Sequence, residues 1–278
     1  MTGHPMPETP QQPIIDGATR LYVIIGDPVA QVKSPGVYNA RFAEAGMNTV
    51  FVPAHVPSDR FDETMRGIMN LGNLDGLMIT VPFKAHMMRL VDRVLPMGAK
   101  VGAINAARRE ADGSWTGDMF DGTGLIRGLK NRSISMTGRK VMLVGAGGGG
   151  SAVAVAVADA GASHVSIHDA DQAKAAALAE RVKAACPACI VNHGAVSFEG
   201  RDTFINATPI GMSPGDGTPV PLKGLRPDML VIDIIMKPEV TPLLAAAQAL
   251  GCQTVGGRAM LEGQAVEVAE FYRIGKPA

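Results

Sequence analysis

Short apolar runs alternate with amphipathic stretches along most of this chain, beginning with the run Leu21–Ile25. Each run has the length of a buried strand, and the stretches between runs have apolar residues at helical spacing. The pattern predicts further strands at 49–53 and 74–81, and helices at 34–45 and 58–71. Strands that alternate with helices indicate a parallel sheet covered by helices, which is an α/β fold.

The chain after the third strand keeps this alternation as far as its middle. We predict a helix that ends near residue 95, a strand at 102–108, a tight turn at Asp112–Gly113 and a return strand that begins at Trp115. A helix at 123–129 then leads into the second half of the chain.

The clearest local signal is an apolar strand at 141–145 that runs into four consecutive glycines and a helix of small residues at 151–160. Gly145, Gly147 and Gly150 fit the G-x-G-x-x-G spacing of a dinucleotide-binding turn. The first glycine lets the turn bend, the second lets a pyrophosphate approach the backbone, and the third lets helix and strand pack closely. The free N–H groups at the helix start would then face the phosphates.

A second apolar strand, His164–His168, ends at Asp169, about 20 residues beyond the glycines. An aspartate at this position accepts hydrogen bonds from both hydroxyls of the adenosine ribose and repels a 2′-phosphate. The sequence therefore favours NAD over NADP. The alternative is that Asp169 only caps a helix over 171–185.

The rest of the second half continues the α/β alternation. Its predicted elements are strand 203–207, loop 213–227, strand 229–233, helix 240–250, strand 252–255 and helix 257–274.

Composition argues against several classes of protein. The 278 residues include 26 Lys and Arg against 26 Asp and Glu, and no basic stripe suggests nucleic acid as a partner. No apolar run reaches the roughly 18 residues of a membrane span. Residues 1–20 are polar and rich in proline, which predicts a frayed tail and not a secretory signal.

The chain has three cysteines, too few for a disulfide framework, so we expect a reducing, cytoplasmic setting. Cys186 and Cys189 match C-x-x-C, but no second pair or histidine ligand lies near them in the sequence. We therefore expect no metal site, with a zinc or redox role as the alternative.

Eight motifs in order resemble those of the shikimate and quinate dehydrogenase family, and together they cover Leu21 to Tyr272. In chain order they are Ser34-Pro35, Thr80-Val-Pro-Phe-Lys84, Gly102-Ala-Ile-Asn105, Asp121-Gly-Thr-Gly124, Gly145-Ala-Gly-Gly-Gly149, Asn206-Ala-Thr-Pro-Ile-Gly-Met212, Thr241-Pro-Leu-Leu244 and Met260-Leu-Glu-Gly-Gln264.

This resemblance implies two α/β domains. A substrate-binding domain with a mainly parallel sheet would span 21–122, a Rossmann domain for NAD(P) would span 123–256, and the C-terminal helix 257–278 would return to the first domain. The implied reaction interconverts a ring alcohol and a ketone of a small hydroxylated ring acid such as shikimate or quinate. We expect a monomer or a homodimer.

The resemblance also implies that Lys84 and Asp121 are the catalytic pair. Hydride removal from a carbinol requires that its O–H proton be taken in step, and a lysine beside a carboxylate can move that proton. One alternative stays open for each residue. Lys84 could be a surface lysine at a helix start, and Asp121 could only cap the next helix.

Further site residues follow from the same motifs. Substrate contacts are implied for Ser34, Thr80, Asn105 and Gln264. Their alternatives are a helix cap, a strand residue, a turn residue and a solvated helix residue. Cofactor contacts are implied for Gly145, Ala146, Gly147, Gly148, Gly149, Asp169, Asn206, Thr208, Ile235 and Gly257.

The chain departs from the family pattern at positions that are usually polar. Apolar residues at these positions are Val32, Met78, Met119, Phe120 and Met236. We expect these apolar residues to alter the substrate cleft. The expected substrate is therefore shikimate, quinate or a close analogue, and shikimate itself is expected to be a poorer substrate than in other family members. Lys33 either compensates by pairing with a substrate carboxylate or faces solvent. Three hypotheses stay open: a shikimate or quinate dehydrogenase, a dehydrogenase of another ring acid such as aminoshikimate, and a nucleotide-sensing protein without turnover.

Overall fold

Twelve strands form two six-stranded sheets in the computed structural model, which describes residues 15–275. The strands are β1 (Arg20–Gly26), β2 (Thr49–His55), β3 (Leu74–Ile79), β4 (Arg93–Val94), β5 (Ala106–Arg109), β6 (Trp115–Asp118), β7 (Lys140–Val144), β8 (His164–His168), β9 (Ile190–His193), β10 (Thr203–Asn206), β11 (Leu230–Asp233) and β12 (Gln253–Val255). The helices are α1 (Ser34–Glu44), α2 (Phe61–Met69), α3 (Pro96–Val101), α4 (Asp121–Lys130), α5 (Gly148–Asp159), α6 (Gln172–Ala185), α7 (Pro242–Ala249) and α8 (Arg258–Phe271).

The first sheet has the order β2-β1-β3-β5-β6-β4. Its first three strands are parallel, the hairpin β5–β6 adds two antiparallel strands, and β4 pairs parallel with β6. One face is covered by α2 through Phe61 and Met65. The other face is covered by α1 and α8, where Tyr22 packs against Phe42 and Tyr272. Helix α8 thus packs against the first sheet, while the domain boundaries stay a prediction.

The second sheet is parallel throughout, with the order β12-β11-β10-β7-β8-β9. The strand order reverses between β7 and β10, which is the switch point at which doubly wound sheets bind ligands. Helices α5 and α6 cover one face and α7 the other. The α/β fold class predicted from the sequence is confirmed.

Two local predictions are wrong. Instead of a helix to residue 95, the chain forms a 3-10 turn at His86–Arg89 and the strand β4, and the short helix α3 follows. Leu95, directly after β4, donates to the carbonyl of Gly117, and β4 pairs with the edge strand β6. This pairing is a tertiary contact that helical periodicity does not report. Helix α1 begins at Ser34 itself, and its capping position is Lys33, so Ser34 is not the cap.

Residues 1–14 of the predicted tail lie outside the described residues, while Thr19 is 4% exposed and donates to Asn48. Among residues 15–275, no helix combines the length and hydropathy that a bilayer crossing requires. In the same range, Cys186 and Cys189 are buried free thiols, and no cluster of three potential metal ligands occurs.

Helices α4 and α8 touch backbone to backbone because glycines line their contact. A Cβ at Gly263 would lie 2.0 Å from the carbonyl oxygen of Gly124, and one at Gly128 would lie 2.0 Å from that of Ala259. Gly122 makes the equivalent contact with Ala152 of α5. The glycines of α4 therefore allow close helix packing, and α4 contacts both α5 and α8.

Gly263→Ala is expected to lower the free energy of unfolding by about 3 kcal/mol, because backbone cannot yield to the added methyl group. Urea unfolding monitored by circular dichroism measures the change. The matched control is Gly67→Ala in α2, where a Cβ meets nothing within 4 Å. That variant is expected to gain about 0.5 to 1 kcal/mol. Equal effects of the two substitutions would contradict this account of the α4–α8 contact.

Candidate active site

Lys84 stands just past the carboxyl end of β3 and is aimed at α4. The preceding residue, Phe83, is buried and stacks on Phe61 with ring centroids 4.4 Å apart. The carbonyl of Lys84 accepts from Ile104 N at 2.9 Å, which fixes the backbone on the other side. The Lys84 side chain is 20% exposed, so it is neither a solvated surface lysine nor sealed from a ligand.

Asp121 is the centre of a four-residue cluster. Its Oδ2 lies 2.6 Å from Lys84 Nζ, and its Oδ1 accepts from Asn105 Nδ2 at 2.6 Å and from Gln264 Nε2. Asp121 is the first residue of α4, where the helix dipole favours a negative charge. The capping position belongs to Phe120 and no side chain caps this end, so the capping alternative for Asp121 fails.

The cluster draws its members from elements far apart in the chain. Asn105 precedes β5, is 2% exposed, and accepts from Phe120 N at 2.8 Å through its Oδ1. Its amide orientation is therefore set from both ends. Gln264 lies on α8, next to the glycine contact with α4. Asn105 is therefore more than a turn residue, and Gln264 is more than a solvated helix residue, because both side chains donate to the Asp121 carboxylate.

Ser34 and Thr80 lie at the same edge of the first sheet but outside the cluster. Ser34 opens α1 after the loop that follows β1, and Thr80 follows β3. The methyl group of Thr80 lies against the backbone of Gly26 at the end of β1, where a Cβ would come within 2.4 Å. Within residues 15–275 neither hydroxyl forms a hydrogen bond, and both residues are half-buried, so both remain available to a ligand.

Three of the five apolar departures do not face a cleft. Met119 is completely buried in the core of the second domain, while Met78 and Phe120 are buried with the aromatic cluster of the first domain. The expectation that they change the substrate cleft is corrected, because their side chains pack in the core. Val32 is half-buried in the loop before α1, and Met236 is 40% exposed after β11.

The glycine turn after β7 has the geometry of a phosphate cradle. Gly145 adopts φ +104°, and a Cβ at Gly150 would lie 1.9 Å from the Gly145 carbonyl, so these two glycines make the bend and the close helix contact. Around Gly147 and Gly148 a Cβ would meet nothing within 4 Å. Helix α5 already begins at Gly148, three residues earlier than predicted, so its free N–H groups lie within the turn itself.

Asp169 closes the other side of this turn. Its Oδ2 accepts from Ala146 N at 2.7 Å and its Oδ1 from Asp171 N at 2.8 Å. The Ala146 N–H holds the pKa of the Asp169 carboxyl below its ordinary value, so the group stays ionised at neutral pH. The cap of α6 is Asp171, which accepts from the backbone of Ala173 and Lys174, so the capping alternative for Asp169 is wrong.

The remaining predicted cofactor residues surround the ends of β10 and β11. Asn206 is completely buried, and Thr208 bonds to it through both its N–H and its hydroxyl. Ile235 is buried, and a Cβ at Gly257 would lie 2.5 Å from its carbonyl oxygen. The side chain of Asn206 is thus occupied within the protein, and any role toward a cofactor passes through Thr208.

Two buried residues of this region escaped the sequence analysis as site residues. Asp233 and Thr241 have no exposed surface and hydrogen-bond each other at 2.7 Å. The signal was an aspartate at the end of the apolar run 229–233, since a buried carboxylate needs several donors.

The donors present fit a dinucleotide. An open backbone cradle at Gly147 and Gly148 suits a pyrophosphate, and Asp169 keeps unused lone pairs for ribose hydroxyls. The Lys84–Asp121 pair is linked to this cradle by a helix contact. Gly122, next to Asp121, packs on Ala152 of α5, the helix that starts in the glycine turn. The arrangement can hold a proton donor and acceptor next to a bound nucleotide.

Comparison with known proteins gives a consistent picture. Residues 24–107 match the family model described as the shikimate dehydrogenase substrate binding domain. A shikimate dehydrogenase (NADP(+)) of Rubrobacter xylanophilus is 37% identical over 264 residues, which are 94% of this chain and 93% of that protein.

Two solved structures are similar over most of their length. Shikimate 5-dehydrogenase of Listeria monocytogenes, in complex with shikimate and NAD, has a TM-score of 0.86 and 30% identity, covering 93% of each chain. Quinate dehydrogenase of Corynebacterium glutamicum, in complex with NAD, has a TM-score of 0.83 and 30% identity, covering 92% of this chain and 93% of that one.

Proposed function

This chain belongs to the shikimate dehydrogenase family of oxidoreductases, and from that premise we propose that it transfers hydride between a nicotinamide cofactor and a ring hydroxyl of shikimate, quinate or a close analogue. The observation that carries the proposal is the contact of 2.6 Å between Lys84 and Asp121, braced by Asn105 and Gln264. A protein that only senses nucleotides needs no such proton-transfer pair, so its presence argues against a sensor.

The bound nicotinamide supplies or accepts the hydride. Lys84 moves the matching proton: it donates from Nζ to the carbonyl oxygen during reduction and accepts the hydroxyl proton during oxidation. Asp121 keeps the ammonium group in place and balances its charge, while Asn105 and Gln264 keep the carboxylate oriented. Because the pair is only partly exposed, this charge interaction is stronger than it would be in water.

The substrate side fits a polyhydroxylated ring acid. The hydroxyl groups of Ser34 and Thr80 have no partner within the described residues and offer directional hydrogen bonds to such a ligand. Val32 packs against the aromatic cluster where the family pattern has a second serine. Loss of one hydrogen bond to a substrate carboxylate costs about 1 to 3 kcal/mol, so a related ring acid is a second candidate substrate.

The test is a hydride-transfer assay that follows the absorbance of reduced nicotinamide. Shikimate, quinate and aminoshikimate are each assayed with NAD and with NADP. Turnover of at least one of the three compounds is expected. Absence of turnover with all of them, combined with tight NAD binding by calorimetry, would contradict the proposal and favour a nucleotide sensor.

We further propose that NAD is preferred over NADP by about tenfold in kcat/KM. Two unit charges about 4 Å apart repel by about 1 kcal/mol even in bulk water, and a 2′-phosphate near Asp169 would carry more than one. The carboxylate is held at the glycine turn by Ala146 N, which supports this role. A tenfold preference for NADP would contradict it.

Asp169→Asn is expected to lower the ratio of kcat/KM for NAD to that for NADP by about tenfold, since the repelling charge is lost. Asp171→Asn is the matched control: it removes the neighbouring carboxylate, and asparagine still caps α6. In this control variant the ratio of kcat/KM for NAD to that for NADP is expected to stay within about threefold of the parent ratio, because salt screens an exposed charge that lies farther from the 2′-phosphate. Equal changes in both variants would remove Asp169 from cofactor discrimination.

A further inference from the structure

A fully buried carboxylate, Asp233, lies at the end of β11 with no exposed surface. It accepts three hydrogen bonds: from Asn206 Nδ2 at 3.1 Å, from Ile235 N at 3.1 Å and from Thr241 Oγ1 at 2.7 Å. Among residues 15–275 it forms no salt bridge, so neutral donors alone compensate it. Burial raises the pKa of the Asp233 carboxyl, and the hydrogen bonds of its three neutral partners offset part of the cost of burying it.

The first partner, Asn206, links Asp233 to the loop after β10. Asn206 and Asp233 are directly paired across the parallel strands β10 and β11. Because the Asn206 amide nitrogen faces Asp233, its oxygen faces Thr208 and accepts from both the N–H at 3.0 Å and the hydroxyl at 2.8 Å. The Thr208 hydroxyl in turn accepts from Ile210 N.

The second and third partners order the loop after β11. Ile235 N donates to Asp233 within that loop. Thr241 donates to Asp233 and accepts from Leu244 N at 3.2 Å, so it both caps α7 and closes the loop against the carboxylate. One carboxylate therefore contacts the end of β10 and both ends of the loop after β11.

These segments border the glycine turn. A Cβ at Gly145 would lie 2.6 Å from the carbonyl oxygen of Ala207, so the loop after β10 touches the turn directly. The loop after β11 reaches the turn through the side chain of Ile234, which lies 3.1 Å from a Cβ built at Gly149. Strands β10 and β11 lie across the switch point from β8 and Asp169. A dinucleotide with its adenosine half at Asp169 would extend its other half over these two loops.

We propose that Asp233, together with Asn206 and Thr241, is a positioning network that shapes the wall for the nicotinamide half of the cofactor. Asp233 itself is buried and acts through Thr208 and the segment at Ile235. The inference rests on the proposed function, because it requires a dinucleotide at the glycine turn. It assigns the network to one half of that cofactor and leaves the adenosine half to Asp169.

The test compares two buried threonines. Thr241→Val removes the hydroxyl that bonds Asp233, whereas Thr203→Val removes an equally buried hydroxyl that bonds Asp202 and Arg139 at the opposite end of β10. Fluorescence titration without substrate gives the dissociation constants of NADH, NADPH and ADP. Thermal unfolding gives the stability of both variants. Thr241→Ser keeps the hydroxyl and serves as the conservative rescue.

Thr241→Val is expected to weaken binding of the preferred reduced cofactor by about tenfold, the effect of one lost hydrogen bond beside a charge. ADP, which lacks the nicotinamide half, should bind within about twofold of the parent. Thr203→Val should change no dissociation constant beyond about twofold although it also lowers the melting temperature. Thr241→Ser should restore cofactor binding.

Equal weakening of ADP and reduced cofactor, or unchanged cofactor binding in Thr241→Val, would overturn the inference. If Thr241→Val does not fold, Asp233→Asn replaces it. An amide nitrogen in place of Oδ2 cannot accept the proton of the Thr241 hydroxyl, so that buried donor loses its acceptor and the same selective loss is expected. Failure of the parent protein to bind either reduced cofactor would instead overturn the proposed function, so the two outcomes are distinguishable.

Discussion

Lys84→Ala is expected to lower kcat by about 10²- to 10⁴-fold while the cofactor dissociation constant stays within about twofold. Lys84 Nζ lies 2.6 Å from Asp121 Oδ2, and among residues 15–275 no other cation contacts this carboxylate. Without the ammonium group no side chain of the cluster can donate a proton to a developing alkoxide. Steady-state kinetics in both directions and a fluorescence titration of the reduced cofactor measure the two quantities.

The control is a second lysine in a similar ion pair. Lys100 contacts Asp159 between α3 and α5, and its side chain is 32% exposed. Lys100→Ala removes the same charge without touching the Asp121 cluster, so kcat should stay within about twofold of the parent. Turnover of the Lys84 variant at nearly the parent rate would remove Lys84 from the mechanism.

Asp121→Asn is expected to lower kcat by about 10²- to 10³-fold. The substitution keeps the shape but places an amide N–H₂ opposite one of three donors: Lys84, Asn105 or Gln264. If the amide oxygen stays with Asn105 and Gln264, two donors face each other at Lys84 and the ammonium group is displaced. The double variant Lys84→Ala/Asp121→Asn should be no slower than the worse single variant, because the two residues act as a unit.

Asp118→Asn is the matched control for Asp121. Asp118 is half-buried, and its carboxylate accepts from Gly98 N at the start of α3, outside the cluster. Burial raises the pKa of the Asp118 carboxyl, because desolvation disfavours its charged form. Its kcat is expected to stay within about threefold of the parent. Additive losses in the double variant, or an equal loss in Asp118→Asn, would contradict a paired role for Asp121.

The sequence predicts best where chemistry fixes a local spacing. Gly145 and Gly150 were identified from their separation alone, because a strand can turn into a tightly packed helix at that spacing only without side chains. Lys84 and Asp121 were paired through family motifs 37 residues apart, and the structure brings them into contact. NAD preference stays a prediction, because the geometry at Asp169 supports it without measuring it.

The errors occur where tertiary contacts override local signals. The residues after Lys84 have helical periodicity, but the open edge of β6 takes β4 as its partner. Ser34 before proline resembles a helix cap, yet Lys33 holds the capping position and Ser34 is the first helical residue. Met78, Met119 and Phe120 replace polar family residues, yet all three side chains turn into the core.

The sequence by itself determined the alternation of strands and helices and the glycine turn, because these depend on periodicity and on short spacings. The pair Lys84 and Asp121 was implied by the resemblance of its motifs to a family, not by a local spacing. Only the tertiary structure decided how Asn105 and Gln264 converge on Asp121, and how Asp233 joins the loops after β10 and β11. Those contacts join residues 16 to 143 positions apart within the cluster. Their partners are chosen by the packing of whole helices and sheets, which no local pattern encodes.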